Sequence, residues 1–355
     1  MARYFRPTAF IDSPIGFDGQ VARLAGGLAY FSAYEVIEAE GQRISKRLVP
    51  VAQIDATVAG DAQAQATLAN LSGSRPPLTL GNRTIRLDQP QVMGILNVTP
   101  DSFSDGGAYA DEPGAIRHAH AMTDAGAALI DVGGESTRPN ADPVWEGDEI
   151  SRIQPVVAAL ARGGTAVSID TRKASVMEVA LTAGAAIVND VSALSFDRKA
   201  IEFLRDRAEP IVIMHSPDAA KTLHAGGNYG NVLIEVYDWL AARIAALEAE
   251  GIAQSRLIVD PGIGFGKSLA ENLALLNGAA IFHGLGCPLL IGASRKRFIG
   301  ALANEVPANQ RLPGSLTIAL KAAEQGAQII RVHDVPETVQ ALKVWRGLRD
   351  QALAG

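Results

Sequence analysis

Residues 92–107 read VMGILNVTPDSFSDGG, and this is the most informative stretch of the chain. Its first half is an apolar run typical of a buried strand, and its second half is a loop rich in Gly, Ser and Asp. Such a loop adds nothing to the stability of a buried strand, whereas a site built at the carboxyl ends of parallel strands requires one. The stretch therefore predicts a parallel strand that ends in a functional site.

Seven further apolar runs end in the same way. They are 128–132 before GGESTRP, 166–169 before DTRK, 186–188 before ND, 210–214 before His215, 257–259 before DPG, 289–293 before SRKR, and 328–330 before RVHD. Segments with helical periodicity lie between them, at 114–126, 150–161, 174–183, 199–207, 231–250, 269–276, 316–325 and 335–348. Eight strand–helix repeats with almost wholly apolar strands predict an α/β fold, a (β/α)8 TIM barrel. An open doubly wound sheet is the alternative, but its site would concentrate at one switch point.

Residues 1–77 do not join this alternation. Strand-like segments at 8–11, 28–37 and 47–54 precede a helix candidate near 61–71, and SGSRPP at 72–77 is typical of a linker. A hairpin is predicted at 78–87, directly before the first barrel strand. We therefore expect an N-terminal α+β extension of unknown role at 1–77 and a catalytic barrel at 78–355.

Composition limits the classes of partner. The single cysteine, Cys287, fits a reducing cytoplasm, and the N-terminus lacks the apolar core of a signal peptide. No run approaches the roughly 20 apolar residues that span a bilayer. A net charge of −6 disfavours nucleic acid, yet basic residues follow several predicted strands. We therefore expect a cytoplasmic enzyme with a small anionic substrate, without nucleic-acid or membrane partners.

The loop DPGIGFGKS at 260–268 resembles a phosphate-binding loop only superficially. The glycine that a P-loop requires five positions before Gly266 is Pro261. A Rossmann fingerprint also fails, because the acidic residue precedes the glycines instead of following them by about twenty positions. A tight turn would explain the proline and the glycines, but it leaves Asp260 and Lys267 unexplained.

Asp170, Asn189 and Asp260 are short hydrogen-bond acceptors at the ends of three predicted strands. Each could simply cap the following helix. Together at a barrel mouth, they suit a flat heterocycle that bears amino, ring N–H and carbonyl groups.

Cationic residues follow the last two strands. Lys296 points into the barrel if Ser294 is the last residue of its strand, whereas Arg295 and Arg297 suit a solvated helix start. Arg331 and His333 are two residues apart and so face the same way on an extended strand. They could form salt bridges with Asp334 or Glu337, or they could clamp phosphate oxygens.

Oxygen ligands for a hard cation are available at Asn97, Asp101 and Asp105. No His or Cys cluster in the sequence indicates a transition metal, and His215 is expected to be a structural imidazole with satisfied hydrogen bonds. No Gly-x-Ser-x-Gly motif precedes a helix, which excludes the usual serine hydrolase arrangement.

Taken in order, LNVTPDSFSDGG at 96–107, GGESTRP at 133–139, DPGIGFGK at 260–267, SRK at 294–296 and RVHD at 331–334 resemble the dihydropteroate synthase family. The resemblance covers about residues 78–355, and the block of motifs is far more specific than any one of them. It implies a homodimeric barrel that joins 6-hydroxymethyl-7,8-dihydropterin diphosphate to 4-aminobenzoate and releases pyrophosphate.

The resemblance also implies which residues act. The catalytic residues would be Asp101, Arg138, Lys296, Arg331 and His333. The substrate-binding residues would be Phe103, Thr137, Pro139, Asp170, Asn189, Asp260, Phe265, Lys267, Ser294, Lys296, Arg331 and His333. Asn97 would ligate Mg²⁺ carried by the diphosphate.

Within this set the resemblance implies three groups. Asp170, Asn189, Asp260 and Lys296 would hold the pterin, and Arg331 and His333 would bind the diphosphate. The third group would enclose 4-aminobenzoate: Thr137, Arg138 and Pro139 belong to a loop that closes with Asp101 and Phe103, and Phe265 and Ser294 line the pocket.

Two features depart from the family pattern. Ser216-Pro217 stands where the family usually has a longer stretch containing Met or Gly, and residues 1–77 have no counterpart in its compact members. Two alternatives remain open at this point. A methyltetrahydrofolate:corrinoid methyltransferase shares the barrel and the pterin-binding acids but has no use for a diphosphate clamp, and a non-catalytic pterin-binding paralogue would not need the intact loops.

Overall fold

The computed structural model describes residues 2–41, 43–99, 112–136, 142–220 and 223–354. The N-terminal region contains β1 (Ala2–Ile11), β2 (Ala22–Arg23), β3 (Tyr30–Glu40), β4 (Arg43–Pro50), α1 (Ile54–Thr57) and α2 (Ala62–Ser72). β3 pairs antiparallel with β1, β2 and β4. The predicted helix and the strands predicted at 8–11 and 28–37 are confirmed, although β1 begins six residues earlier than expected. The strand predicted at 47–54 lies instead at 43–50, and residues 51–57 are helical. Asp61 caps α2 by accepting from Ala64 N at 3.0 Å.

The barrel follows a short hairpin of β5 (Leu78–Leu80) and β6 (Arg83–Ile85). Its strands are β7 (Gln91–Asn97), β8 (Leu129–Gly133), β9 (Val167–Asp170), β10 (Ile187–Asp190), β11 (Ile211–Met214), β12 (Leu257–Asp260), β13 (Leu290–Ile291) and β14 (Ile329–Val332). The helices are α3 (Glu112–Asp124), α4 (Glu146–Arg162), α5 (Ala174–Thr182), α6 (Arg198–Leu204), α7 (Val232–Ala249), α8 (Leu269–Gly278), α9 (Arg297–Leu302), α10 (Leu312–Glu324) and α11 (Val335–Ala354).

The eight barrel strands are all parallel and follow the order β12-β11-β10-β9-β8-β7-β14-β13. A parallel bridge between Val259 and Leu289 joins the two ends of this order, so the sheet closes. The predicted TIM barrel is therefore confirmed. α10 begins four residues before the predicted start because Pro313, in its first turn, needs no backbone N–H there.

The barrel interior changes from apolar to polar along the strands. At its amino-terminal end, the hairpin packs apolar side chains against Leu129, Ile187, Ile258 and Ile329. Because side chains alternate along a strand, the residues two positions later also point inward. Those residues are Asp131, Asn189, Asp260 and Arg331. The hairpin thus closes the amino-terminal end of the barrel and forms its floor. These four polar residues form a polar layer directly above that floor.

The N-terminal region packs on the outside of the barrel. Its apolar core includes Ala280, in the 3-10 helix Ala279–Leu285, and Tyr4 donates a hydrogen bond to Asp238 in α7 at 2.7 Å. Arg75 is only 8% exposed and donates to the backbone oxygens of His283 at 2.8 Å and Cys287 at 3.2 Å. The segment predicted to be a linker is therefore bound to the barrel.

No helix in the described ranges is long and apolar enough to cross a membrane.

Candidate active site

The three predicted acceptors meet at the carboxyl end of the barrel. Asp170 and Asp260 are the last residues of β9 and β12, and Asn189 lies in β10 beside Asp170 in the strand register. All three are buried, with 4 to 7% of their surface exposed. Asp260 accepts a hydrogen bond from Gly262 N at 2.7 Å, so one oxygen shapes its own loop.

Arg331 lies among carboxylates. Its Nε donates to Asp131 Oδ2 at 2.6 Å, and its Nη2 donates to Asp170 Oδ2 at 2.8 Å. Asn189 Nδ2 donates to the same Asp131 oxygen at 2.9 Å. The sequence analysis offered Asp334 or Glu337 as salt-bridge partners, but the ion pairs of Arg331 are with Asp131 and Asp170.

Asp131 was missed by the sequence analysis. It is fully buried in the middle of β8. The signal was present, because an isolated carboxylate in an otherwise apolar strand needs a partner to offset its desolvation. The sequence could not say which cation supplies that partner, since Arg331 is 200 residues away.

Burial and mutual charges set the protonation of this cluster. Burial raises the pKa of Asp170 to about 7; the Arg331 charge opposes this rise, and Asp131 reinforces it. Burial acts to lower the pKa of Arg331, but Asp131 and Asp170 outweigh it and raise that pKa. The guanidinium is therefore a permanent cation, and it lies against the two buried carboxylates of Asp131 and Asp170.

The two lysines of the site differ in their surroundings. Lys296 donates to the backbone oxygen of Ile263, and its ammonium lies 4.1 Å from the centroid of the Phe265 ring. Lys267 donates to three backbone oxygens, of Gly262 at 2.8 Å, Phe265 at 3.1 Å and His215 at 3.3 Å. Three acceptors saturate an ammonium group, so this geometry assigns Lys267 to holding the loop and does not support direct substrate binding.

Burial lowers the pKa of both lysines to about 7, and the charge of Asp260 opposes the shift in each case. The loop after β12, which carries Lys267, requires glycine at position 262. Gly262 has φ +69°, and a side chain there would overlap the backbone oxygen of His215. The loop therefore passes directly against the chain that follows β11.

Ser294 and His333 form a second contact at the barrel mouth. The Ser294 hydroxyl oxygen lies 3.0 Å from His333 Nδ1 and accepts from the His333 backbone N–H at 3.2 Å. The Asp334 carboxylate accepts a hydrogen bond from Arg295 Nε at 3.0 Å. Arg295, predicted to lie at a solvated helix start, therefore pairs with Asp334 while 38% of its side chain stays exposed.

Asn97, the predicted metal ligand, ends β7, and its Oδ1 lies close to Gly133 on the neighbouring strand. Among the described residues no group of three His, Cys, Asp or Glu side chains could hold a metal ion. Six predicted site residues lie outside the described residues: Asp101, Phe103, Asp105, Thr137, Arg138 and Pro139.

An ionic network that the sequence analysis also missed joins the flanks of the segment 137–141. Before the segment, Glu135 accepts from Val144 N at 3.0 Å and lies 3.3 Å from Lys173 Nζ. Lys173 Nζ donates to Val144 O and to Glu149, both at 2.6 Å. Arg172 adds a contact of 3.3 Å to Glu135. The residues on either side of the segment are thus held together by charge-assisted hydrogen bonds.

His215 is buried against the edge of the Trp239 ring at 5.0 Å, and burial lowers its pKa to about 3. Its expected structural role fits these contacts. The expectation that its hydrogen bonds are satisfied is not met, because Nδ1 has no partner within the described part of the chain. A different ring, His224, stacks on Phe265 at 5.0 Å and so packs against the predicted aminobenzoate pocket.

Comparison with known proteins identifies the class that this barrel and site define. Residues 93–333 match the family described as pterin binding enzyme, which is more than half of the chain. The chain therefore belongs to the pterin-binding enzyme family, as its motifs predict.

Within that family, the chain is similar to dihydropteroate synthases. It is 47% identical to dihydropteroate synthase of Escherichia coli (strain K12) over 262 residues, which cover 74% of this chain and 92% of the relative. It is 46% identical to the dihydropteroate synthase of Neisseria meningitidis serogroup B over 274 residues, which cover 76% of this chain and 96% of the relative.

Solved structures give the same result. The dihydropteroate synthase of Xanthomonas albilineans with 4-aminobenzoic acid has a TM-score of 0.72 and 44% identity, and the match covers 78% of this chain and 99% of that one. The same organism's enzyme with 7,8-dihydropteroate has a TM-score of 0.69 and 42% identity, and the match covers 77% of this chain and 99% of that one. These relatives are matched almost completely, whereas about a fifth of this chain lies beyond the match.

Proposed function

We propose that this chain condenses 6-hydroxymethyl-7,8-dihydropterin diphosphate with 4-aminobenzoate, giving 7,8-dihydropteroate and pyrophosphate. It is a transferase of folate biosynthesis, with the activity of a dihydropteroate synthase. The observation that carries this proposal is the polar layer of Asp131, Asn189, Asp260 and Arg331, joined by Asp170 at the end of β9 and built into a barrel that matches relatives with 4-aminobenzoic acid and 7,8-dihydropteroate bound.

The pterin would lie on this layer. A pterin edge carries amino and ring N–H donors, and buried carboxylates at Asp170 and Asp260 accept such donors with charge-assisted hydrogen bonds. Asn189 contributes an amide, and Lys296 supplies a cation on the other side of the pocket. The burial of these groups excludes water and strengthens each contact.

The diphosphate would lie nearer the strand ends, where Arg331 and His333 face. As the bond from the pterin methylene carbon to the diphosphate oxygen breaks, negative charge grows on the leaving group. A fixed guanidinium stabilises that growing charge without reorganising. The amine of 4-aminobenzoate then attacks the methylene carbon and loses a proton, so no nucleophilic side chain is required.

Mg²⁺ fits this site as an ion that arrives with the diphosphate. Asn97 offers one hard oxygen at the end of β7, and oxygen is the ligand type that Mg²⁺ prefers. Asn97 would hold the ion, which when bound would neutralise charge on the leaving diphosphate.

4-Aminobenzoate would bind above the pterin. Two contacts support this role for Phe265 and Ser294: the Phe265 ring lies beside the Lys296 ammonium, and the Ser294 hydroxyl group contacts His333. We also propose, from their sequence motifs, that Asp101, Phe103, Thr137, Arg138 and Pro139 help to enclose this substrate. We further propose that residues 1–77 form an appended region, that the chain assembles as a homodimer and that it acts in the cytoplasm.

The test is to incubate the full chain with the pterin diphosphate, 4-aminobenzoate and Mg²⁺ and to measure pyrophosphate and dihydropteroate together. We expect equal amounts of both, and no dihydropteroate when 4-aminobenzoate is left out. Methyl transfer from methyltetrahydrofolate to a corrinoid, without pyrophosphate release, would instead favour the methyltransferase. A folded protein that binds pterin and turns over neither substrate would favour the non-catalytic paralogue.

A further inference from the structure

Asp131 stands at the centre of the polar layer, and neither sequence reasoning nor the similarity to relatives assigns it a role. It is fully buried and faces the barrel interior, because it lies two positions after the floor residue Leu129 on β8. A carboxylate in such a place costs several kcal/mol of desolvation unless it is paired and hydrogen-bonded. A core built for stability alone would place an apolar side chain there.

One oxygen of Asp131 receives two donors from two other strands. Oδ2 accepts from Arg331 Nε on β14 at 2.6 Å and from Asn189 Nδ2 on β10 at 2.9 Å. Oδ1 is buried and has no hydrogen-bond partner among the residues that the structure describes. The carboxylate therefore links a proposed diphosphate ligand to a proposed pterin ligand within one network.

The contact with Arg331 fixes the orientation of the guanidinium. This group is planar and carries its donors in a rigid fork, so two contacts determine its position. Asp131 holds Nε and Asp170 holds Nη2, and neither carboxylate bonds to Nη1. Nη1 is thus the nitrogen that this arrangement leaves for an anionic ligand.

The contact with Asn189 fixes the orientation of its amide. If the amide were reversed, its carbonyl oxygen would face the Asp131 carboxylate, and two acceptors would repel each other. With Nδ2 turned toward Asp131, the Asn189 carbonyl oxygen is directed elsewhere and can accept from a ring N–H or amino group.

We propose that Asp131 is a positioning residue that aims Arg331 at the diphosphate and turns the carbonyl oxygen of Asn189 toward the pterin. This inference rests on the proposed function for the diphosphate part. The Asn189 part concerns pterin binding alone and does not depend on turnover.

The main test is a double-mutant cycle of Asp131→Asn with Arg331→Ala, with kcat/KM measured by pyrophosphate release. Asp131→Asn alone should lower kcat/KM about ten- to a hundredfold. In the Arg331→Ala background the same change should cost less than about twofold or give a gain, because Asp131 is then a buried carboxylate without its cation. Equal losses in both backgrounds would mean that Asp131 acts independently of Arg331 and would overturn the proposal.

The Asn189 part is tested by calorimetry with 6-hydroxymethylpterin, which lacks the diphosphate. Asp131→Asn should weaken its binding about fivefold, and should have no further effect in an Asn189→Ala background. Should this hold while the wild-type chain releases no pyrophosphate, the proposed reaction fails but the positioning of Asn189 stands. If Asp131→Asn weakened pterin binding just as much in the Asn189→Ala background, the proposed positioning of Asn189 by Asp131 would be contradicted.

The matched control is Ser168→Ala. Ser168 is the register neighbour of Asp131 on β9, is fully buried, and has a hydroxyl without a partner in the described ranges. It makes no hydrogen bond to Arg331 or Asn189, so its replacement should leave both measurements within about twofold of wild type.

A second variant keeps the proposal testable if Asp131→Asn does not fold. Arg331→Lys preserves the charge but cannot hold Asp131 and Asp170 at two fixed points. It should lose at least about tenfold in kcat/KM while circular dichroism and the melting temperature remain near wild type. Wild-type kinetics for Arg331→Lys would show that orientation by Asp131 is irrelevant.

Discussion

Arg331 is the residue on which the proposed chemistry depends most. We expect Arg331→Ala to lower turnover by two to three decades, because removing an electrostatic donor aimed at developing charge costs about 3–4 kcal/mol. Binding of a pterin without diphosphate should fall by less than about tenfold, since that effect is indirect and arises through Asp131 and Asp170, which Arg331 contacts. Steady-state kinetics and calorimetry on one preparation measure both quantities. Equal losses in the two would assign Arg331 a purely structural role.

Asp170 and Asp260 carry the prediction for pterin binding. Asp170→Asn and Asp260→Asn should each weaken pterin affinity about ten- to a hundredfold, because a hydrogen bond to a charged acceptor contributes about 1.5–3 kcal/mol. Calorimetry with 6-hydroxymethylpterin provides the measurement. Asp61→Asn is the control, since Asp61 caps α2 far from the barrel mouth and Asn caps a helix equally well. Unchanged affinity in both site variants would remove these residues from the pterin site.

The ionic network around Lys173 links the chain after β9 to Glu135, after β8, and to Glu149, in α4. Glu149 is fully buried, and burial raises the pKa of its carboxyl group even beside Lys173. Lys173→Met leaves this carboxyl without its cation, so the free energy of unfolding should fall by about 3–5 kcal/mol. Denaturant unfolding measures the change. Adding Glu149→Gln should restore part of the loss, because a neutral amide is less costly to bury unpaired.

The control for this network is Lys199→Met, at an exposed position near the start of α6, which should change the free energy of unfolding by less than about 0.5 kcal/mol. A loss for Lys173→Met that Glu149→Gln does not relieve would contradict the assignment to charge pairing.

Elements were predictable from the sequence where the signal is local. All eight barrel strands were predicted because each is a short apolar run ended by polar residues, and Asp170, Asn189 and Asp260 were found because they stand at those ends. Asp131 and Lys173 were missed, since their partners lie on other elements and a linear pattern does not encode which strands face each other. The contacts of Lys267 could not be predicted for the same reason, because its three acceptors are backbone oxygens.

Two buried histidines should make the stability of the whole molecule depend on pH. Burial lowers the pKa values of His215 and His283 to about 3, from an ordinary value of 6.5. Between these values the unfolded chain binds protons that the native state does not, so stability rises with pH and is lost as pH falls from about 6.5 toward 3. In that pH window each histidine should change the free energy of unfolding by about 1.4 kcal/mol per pH unit.

His283→Gln isolates this effect. Nε2 of His283 lies 3.0 Å from the backbone oxygen of Gln325, and a glutamine amide can donate in its place without titrating. We expect the difference in unfolding free energy between wild type and variant to shrink steadily as pH falls from 6.5 to 4.5. A difference independent of pH would show that His283 does not stay neutral in the native state.

The N-terminal region is joined to the barrel by contacts that stabilise the whole molecule without entering the site. Arg75 donates to the backbone oxygens of Cys287 and His283, and Asn70 donates to that of Gly284 at 3.0 Å. Of the described residues proposed to bind substrate, Asp170, Asn189, Asp260 and Arg331 lie toward the carboxyl ends of their barrel strands, and no proposed substrate residue belongs to residues 1–77. A chain that begins at Leu78 should therefore retain turnover within about threefold, but it exposes apolar surface around Ala280 and should melt at lower temperature.

Arg75→Ala in the full chain separates docking from the loss of the region itself. It leaves two buried carbonyl groups without their donor, so we expect a loss of about 1–3 kcal/mol in unfolding free energy with kcat unchanged. Arg43→Ala is the control, because Arg43 lies on the exposed strand β4. Thermal unfolding and steady-state kinetics on the truncated chain and both variants measure the two effects. A truncated barrel that remains folded but loses turnover completely would place part of residues 1–77 in the catalytic machinery, contrary to the assignment of this region as an appended one.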